Sequence, residues 1–435
     1  MIFLNNPVFL SVLTLCVLCL CKLNVLISLI IAALIGALSA GMNFTTAMDI
    51  LTQGFSHNAG TSLSYILLGT FATTIATTGL ANIMSNKISK IMKYPISIIL
   101  LILAGIACLS QNLIPIHIAF IPILIPPLLV IMNKLQIDRR AIACSLAFGL
   151  KAPYIAIPFG FGTIFMGLIA ENMTSNGMFM TLSDVTKYNW ILALSMFIGL
   201  LIAIFCTYKN KRKYEDKEIS IETNVKNSDK LSYPHLITLI AIIVVVIVQL
   251  LSGSLPLASL SGLLIMFIFR GIKWKDIDAQ FIGGINLMGM IAMIMLVAGG
   301  YAEVIKATGA VNELVKETVS IMQGSKLIAA CSITLIGLLV TMGIGSSFST
   351  IPVLAVIYVP ICSEIGFSPA ATLLLLSSAA ALGDAGSPSS DTTLGPTAGL
   401  NADGQHDHIW DTCIPTFIHF NIPLALSAII ISQFI

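Results

Sequence analysis

Long hydrophobic runs follow one another along this chain with short polar interruptions, and none shows the period-two alternation of a strand. They predict helices. Uninterrupted spans read off at 7–21, 24–41, 65–83, 189–208, 234–251, 255–269, 285–304 and 409–434. Two longer runs, 141–170 and 368–400, carry polar breaks. Ahead of each lies a pair of shorter apolar stretches, 95–108 with 118–133 and 326–340 with 351–363. About 20 apolar residues cross a hydrocarbon core of about 30 Å, so the pattern predicts an all-α polytopic membrane protein. The missing lumen-facing alternation excludes a transmembrane β-barrel.

The same order of elements occurs twice. Shifting the chain by 230 residues places Thr78–Gly79 on Thr308–Gly309, Ile121–Pro122 on Ile351–Pro352, Pro158 on Pro388 and Thr163 on Thr393. The expected organisation is a first repeat over 1–208, a linker over 209–233 and a second repeat over 234–435. Each repeat has one re-entrant hairpin (95–133 and 326–363) and one broken helix (141–170 and 368–400). With the short pairs read as hairpins that enter and leave by one face, each half has five crossings. An odd number inverts the second half, as in many transporters.

Basic residues collect on cytoplasmic loops, which tests the arrangement independently. With the charged stretch Lys209–Lys230 placed inside, seventeen of the 22 Lys and Arg fall inside. Lys187, Lys306, Lys316 and Lys326 fall outside, and Lys151 falls within a span. The expectation is ten crossings of the bacterial inner membrane with both termini outside. Composition agrees: 57% of the 435 residues are hydrophobic and 10% charged, with a mean hydropathy of +0.97. A net charge of +2 adds little. The first span has no basic residue before it and no small-residue cleavage site, so it reads as a retained helix. The nine cysteines lie mostly in apolar runs and read as small buried hydrophobes, not as disulfides or metal ligands.

The chemistry concentrates at Gly383–Thr393, GDAGSPSSDTT, inside an otherwise apolar span. An aspartate at mid-bilayer costs roughly 2.5 to 3.5 kcal/mol, and Asp384 and Asp391 both lie here. Gly383, Gly386 and Pro388 interrupt the helix and free backbone groups at membrane depth, which is tolerated only around a protein-lined site or water cavity. Asp384, Ser387, Ser389, Asp391, Thr392 and Thr393 thus form a set of hard oxygen ligands for Na⁺, with the carboxylates able to take H⁺ instead. The first-half counterpart, Lys151 to Thr163, keeps the proline and threonine but has aromatics where the second half has Ser and Asp. Polar tips on the short pairs supply Asn112 and His117 in the first half and Ser346, Ser347 and Ser349 in the second. With Lys151 and Thr163 they are candidate solute contacts, because helix N-termini there offer N–H groups to an anion or carboxylate.

Plainer readings stand beside these. The tip serines suit helix packing, and the aspartates suit a structural pair with Lys151. His117 reads equally as a proton-linked group or a core histidine. Lys151 reads as a counter-ion in a cation's place or as a snorkelling side chain. No phosphate-cradling loop, nucleophile elbow or HExxH motif occurs, so neither an ATP-driven pump nor an enzyme is expected.

The string GDAGSPSSDTT, followed by Leu394–Pro396, resembles the NhaC-type Na⁺/H⁺ antiporter family of the ion transporter superfamily, whose motif has the form GDxxSPxSDTT. The tip Gly343–Ser347 is similar to that family's Gly/Ser-rich second-half tip. The first-half stretch Ser110–Pro127 is instead similar to a subgroup labelled as amino-acid (histidine) transporters. The chain departs from the better-studied antiporters at that tip and at Lys151. The resemblance implies a scaffold and a mobile transport domain, a homodimer and elevator-like alternating access. The expected function is therefore Na⁺/H⁺ antiport by a secondary carrier, with Na⁺- or H⁺-coupled amino-acid transport as the alternative and an ion channel less favoured. No cofactor is expected beyond the coupling ions. The expected partners are membrane lipid and a small ion or solute, not nucleic acid.

Overall fold

The computed structural model describes residues 6–21, 23–78, 95–112, 120–158, 161–215, 232–252, 254–310, 313, 325–344 and 347–435. Among these the chain is helical, with no strand. The elements of the first half are α1 (Pro7–Leu20), α2 (Val25–Ser39), α3 (Phe44–Gln53), α4 (Phe55–Thr77), α5 (Ile96–Asn112), α6 (Phe120–Lys134), α7 (Arg139–Ala156), α8 (Phe161–Ser175) and α9 (Leu182–Ile202). The second half gives α10 (Tyr233–Ser252), α11 (Leu255–Ile268), α12 (Ile277–Ala307), α13 (Lys326–Ile344), α14 (Ser347–Ile365), α15 (Pro369–Leu382) and α16 (Asp391–Leu400). The last, α17, runs continuously over His408–Ile431. Helix starts in the second half recur 230 residues after those in the first: Val25 and Leu255, Ile96 and Lys326, Arg139 and Pro369, Phe161 and Asp391.

Local chemistry explains where these helices begin. Asn6, Asn24, Asn43, Asp138, Ser254, Ser368, Ser390 and Asp407 each accept a hydrogen bond from a backbone N–H of the first turn. Such caps satisfy donors that no helical carbonyl can reach. Thr181 and Asp184 form a reciprocal capping box at α9.

Three helices are long and apolar enough to cross a bilayer unaided, over Leu182–Thr207, Trp274–Ala307 and His408–Ile431. The pair α7 and α8 makes a fourth, bent by 47° at its break. The remaining apolar helices are shorter. Large side chains such as Ile243, Leu257, Ile282 and Leu335 stand about half exposed. Apolar surface on that scale suits lipid contact, and the protein is an integral membrane protein. By contrast, α15 is buried on all sides from Ala371 to Leu382, and α7 nearly so. A helix apolar on every face belongs at the centre.

Two groups of helices surround that centre. In one, α1 packs on α2 and α2 on α12, while α10 packs on α11 and α11 on α4 around Phe71, Ala241 and Leu263. In the other, α7 lies against α5, α8 and α9, and α15 against α13, α14 and α17. The first group is held by the crossing of α4 and α12, which run antiparallel. Asn58 Nδ2 donates to the Met295 carbonyl (3.0 Å), Ser62 Oγ to that of Ala292 (2.9 Å) and Thr73 Oγ1 to that of Gln280 (3.0 Å). Glycines allow this closeness. A Cβ on Gly69 would lie 2.6 Å from the Gly284 carbonyl oxygen, and one on Gly54 would lie 2.9 Å from that of Gly299.

A side chain at Gly284 should therefore wedge α4 from α12, because its Cβ would sit 2.3 Å from the Thr70 backbone nitrogen. Overpacking of this kind costs about 1 to 3 kcal/mol. Gly284→Val is expected to lower the melting temperature of the detergent-solubilised protein. Gly60→Ala, on the same helix pair but in open space, should leave it unchanged.

Candidate functional site

Eight residues, Gly383–Ser390, separate α15 from α16. Gly386 adopts φ +85°, and a Cβ there would also meet Phe417 at 2.6 Å, so only glycine fits the turn. Thr393 Oγ1 ties the break into a compact loop by donating to the carbonyls of Ser387 (2.5 Å) and Ser390 (2.9 Å). The other freed carbonyls face α17. Asn421 Nδ2 donates to Ala385 O (2.6 Å), His408 Nε2 lies 2.9 Å from Pro388 O, and Cys413 Sγ points at Ser387 O (3.8 Å). Two π-helical segments of α17, His408–Cys413 and Phe417–Asn421, carry or border these contacts. Wide turns of this type are frequent at functional sites.

Hydroxyls gather around Asp384. Tyr154 on α7 donates to Oδ2 at 2.6 Å, while Ser390 and Thr392 both donate to Oδ1, the latter at 2.8 Å. Tyr154 also contacts Ser347 Oγ at the start of α14 (3.1 Å). Asp391 opens α16, and its Oδ1 accepts from Tyr65 of α4 at 3.2 Å, which links the two helix groups. Ser387 and Ser389 pair with each other at 3.1 Å. Both carboxylates are partly accessible, whereas Ser387, Ser389, Ser390, Thr392 and Thr393 are buried. The arrangement is a carboxylate in a ring of rotatable hydroxyls, which can donate to the charged oxygen or turn lone pairs toward a cation.

Tyr154 and Asp384 are 230 residues apart, as are Ser62 and Ala292 at the α4–α12 crossing. The halves also share a device: Asn189 Nδ2 donates to Ile155 O (3.0 Å) as Asn421 does to Ala385 O.

The residues singled out from sequence fall into three groups. Asp384, Ser387, Ser389, Asp391, Thr392, Thr393 and Ser347 come together. Lys151 is fully buried nearby, where Nζ donates to Asn421 Oδ1 (3.2 Å) and the ammonium is electrostatically coupled to Asp384 without a direct ion pair. It does not reach solvent, which removes the snorkelling alternative. Thr163 is exposed on the first turn of α8. His117 and Ser346, and the side chains of Asn112 and Ser349, lie outside the described residues. Sequence reasoning missed Tyr65 and Asn421, which read as ordinary residues of helical spans, and His408, which lies one residue before the last span. It also passed over Tyr154, which the 230-residue spacing could have flagged as the mate of Asp384. Among the described residues no three His, Cys, Asp or Glu cluster as metal ligands, and the nine cysteines are free.

Beyond the far end of α16, Arg139 and Asp403 form a fully buried ion pair. The guanidinium donates to both Asp403 oxygens (2.7 and 2.5 Å), to Asn133 Oδ1 (2.8 Å) and to the last carbonyl of α16, Leu400 O (2.7 Å). Tyr214, from the start of the linker, stacks on it at 4.4 Å. Arg212 pairs with Asp411 at 2.5 Å, so the linker is fastened to the same end.

A break of buried hydroxyls and carboxylates within an all-α polytopic membrane protein defines a secondary transporter, not an enzyme. The chain belongs to the Na⁺/H⁺ antiporter family: one profile of that description matches residues 145–430, and a second matches residues 6–92. An uncharacterized membrane protein of Vibrio parahaemolyticus is 44% identical over 97% of this chain and 98% of its own length. A Bacillus subtilis protein named "Putative amino acid transporter YuiF" is 44% identical over 86% of this chain and 87% of its own. Among solved structures, Neisseria gonorrhoeae MtrF, from work on antimetabolite efflux pumps, aligns with a TM-score of 0.44 at 14% identity over 88% of this chain and 83% of its own.

Removing one partner of a buried ion pair costs about 3 to 5 kcal/mol, because it strands the other charge. Arg139→Met is expected to destabilise the protein by that order in thermal unfolding, and Arg139→Met with Asp403→Leu should recover much of the loss. The pair also sets a pH dependence. Burial pushes the Asp403 carboxyl up, but the hydrogen bonds and charge of Arg139, helped by Asn133, outweigh this and hold it below the usual carboxylate value. Its contribution is present above the unfolded value of about 3.9 and lost as pH falls through the lower folded value. Asp403→Asn should flatten the acid limb of the stability profile.

Proposed function

We propose that this chain exchanges Na⁺ for H⁺ at Asp384 and Asp391 by alternating access. The observation that carries the reading is the convergence of three hydroxyl donors on Asp384 within a broken helix, with Asp391 at the start of the next helix. Hydroxyl and carboxylate oxygens suit Na⁺, and a carboxylate that gives up Na⁺ can take a proton in its place. Loading by either ion neutralises one charge, which lowers the cost of moving the site through an apolar environment.

Alternating access is supported by the antiparallel crossing of α4 with α12, in which the Ser62–Ala292 contact joins residues 230 apart, and by helix starts elsewhere that recur at that spacing. Tyr65 to Asp391 is a contact between the two helix groups, and it would break and re-form if one group moves against the other in an elevator-like step. The basic residues support ten crossings with both termini outside. A second reading, with an amino acid as cargo and the same cation site as the coupling element, is favoured by the B. subtilis relative's name.

Asp384 accepts from three hydroxyls, so its substitution disturbs several contacts at once. Hydrogen bonds to a charged group are worth about 1.5 to 3 kcal/mol, or roughly 10- to 100-fold in affinity. In proteoliposomes with imposed Na⁺ and pH gradients, Asp384→Asn is expected to reduce Na⁺-driven proton flux at least tenfold, and Asp391→Asn to reduce it as well. Because Na⁺ requires the deprotonated carboxylate, the wild-type KM for Na⁺ should fall as pH rises, and this slope should flatten in either variant. Full Na⁺-dependent flux in both purified variants would remove the two aspartates from the site.

A further inference from the structure

A cavity of about 450 Å³ opens between the α1–α2 turn, the middle of α12, and α16 with the start of α17. It lies beside the break, with Leu394, Thr397 and Asn401 of α16 in its wall, and its volume suits a small organic molecule. Two features of the lining point to an occupant. Asn286 lies on α12 at the start of the apolar run 285–304, exposed, with no hydrogen-bond partner among the described residues. Its amide is therefore available to a molecule that enters the cavity. Among the described residues lining the cavity, Asp407 is the one carboxylate and neither Lys nor Arg is present. Its Oδ1 caps α17 by accepting from Ile409 N (2.9 Å) and Trp410 N (2.7 Å), which leaves Oδ2 available. The Trp410 indole, 44% exposed, stands beside it.

A carboxylate with an adjacent indole attracts an organic ammonium by charge and by the ring face. An unpartnered amide N–H₂ donates to a carboxylate. One small molecule that offers both groups is an α-amino acid. We infer that this cavity binds a zwitterionic amino acid, its ammonium held by Asp407 and Trp410 and its carboxylate by Asn286. The inference rests on the amino-acid reading of the cargo and gives it a site distinct from the hydroxyl ring at Asp384.

The wall of the cavity also connects it to the break. His408 lines the cavity, with Nδ1 2.8 Å from Thr397 Oγ1 and Nε2 2.9 Å from the Pro388 carbonyl oxygen. Solute that shifts His408 therefore acts on the loop that carries the cation ligands.

The protein has three tryptophans, so Trp190→Phe with Trp274→Phe leaves Trp410 as a reporter inside the cavity. The full-length double variant in nanodiscs is titrated with each of the twenty amino acids while Trp410 emission is followed. A saturable change is expected for at least one, weakened tenfold or more by Asn286→Leu and by Asp407→Asn, and retained in Gly60→Ala, which stands in open space. Asparagine at 407 keeps the cap and removes only the charge. Saturable binding unaffected by both Asn286→Leu and Asp407→Asn would keep the amino-acid reading and overturn this site. No response to any amino acid, with Na⁺/H⁺ exchange intact in the same preparation, would overturn both and leave cation exchange standing. Quenching of Trp410 by brominated acyl chains that amino acids fail to relieve would assign the cavity to lipid and overturn the inference.

Discussion

A helix that breaks inside a membrane exposes carbonyls which water cannot reach, and supplying partners for them is the constraint on which this structure depends. Here α17 supplies them. Asn421, His408 and Cys413 face the carbonyls of Ala385, Pro388 and Ser387, and Thr393 closes the loop from the other side. With the backbone satisfied from behind, the side chains of Asp384, Ser390 and Thr392 are free to arrange themselves around one another. The hydroxyl ring thus exists because a neighbouring helix has taken over the hydrogen bonding that α15 and α16 gave up. The π segments of α17 alter the helical register around those contacts.

The same constraint was met twice and then used for different ends. Asn189 steadies the first-half break at Ile155 as Asn421 steadies the second at Ala385. Between them, however, one half places Tyr154, a donor, and the other Asp384, an acceptor. The two halves therefore deliver complementary chemistry to a single point. Lys151 deepens the asymmetry, since it brings a buried ammonium from the first half toward the carboxylate of the second without pairing with it directly.

α16 connects the remaining parts. Its first residue is Asp391, its middle reaches His408 through Thr397, and its last carbonyl is held by the buried Arg139–Asp403 pair. This ten-residue helix thus joins the break at one end to the ion pair at the other, where the linker residues Arg212 and Tyr214 are also fastened.

The sequence alone determined what depends on local composition. Runs of apolar residues require a membrane, Gly383, Gly386 and Pro388 require a break, and two aspartates inside that break require compensation. The 230-residue spacing exposed the duplication because matched glycines, prolines and threonines hold matched turns. Tertiary structure alone decided which groups meet. Tyr65 sits in a span with nothing to distinguish it, yet the placement of α4 lets its hydroxyl reach Asp391 at the start of α16. Asn421 and His408 lie in a final helix that reads as plain membrane anchor, and only its position behind the break makes them partners of freed carbonyls. Lys151 could be read two ways until α7 was seen to be buried all round. The reason is physical: helix formation and membrane insertion respond to a few neighbouring residues, whereas a binding site is made of side chains from distant segments whose contact depends on how whole helices pack.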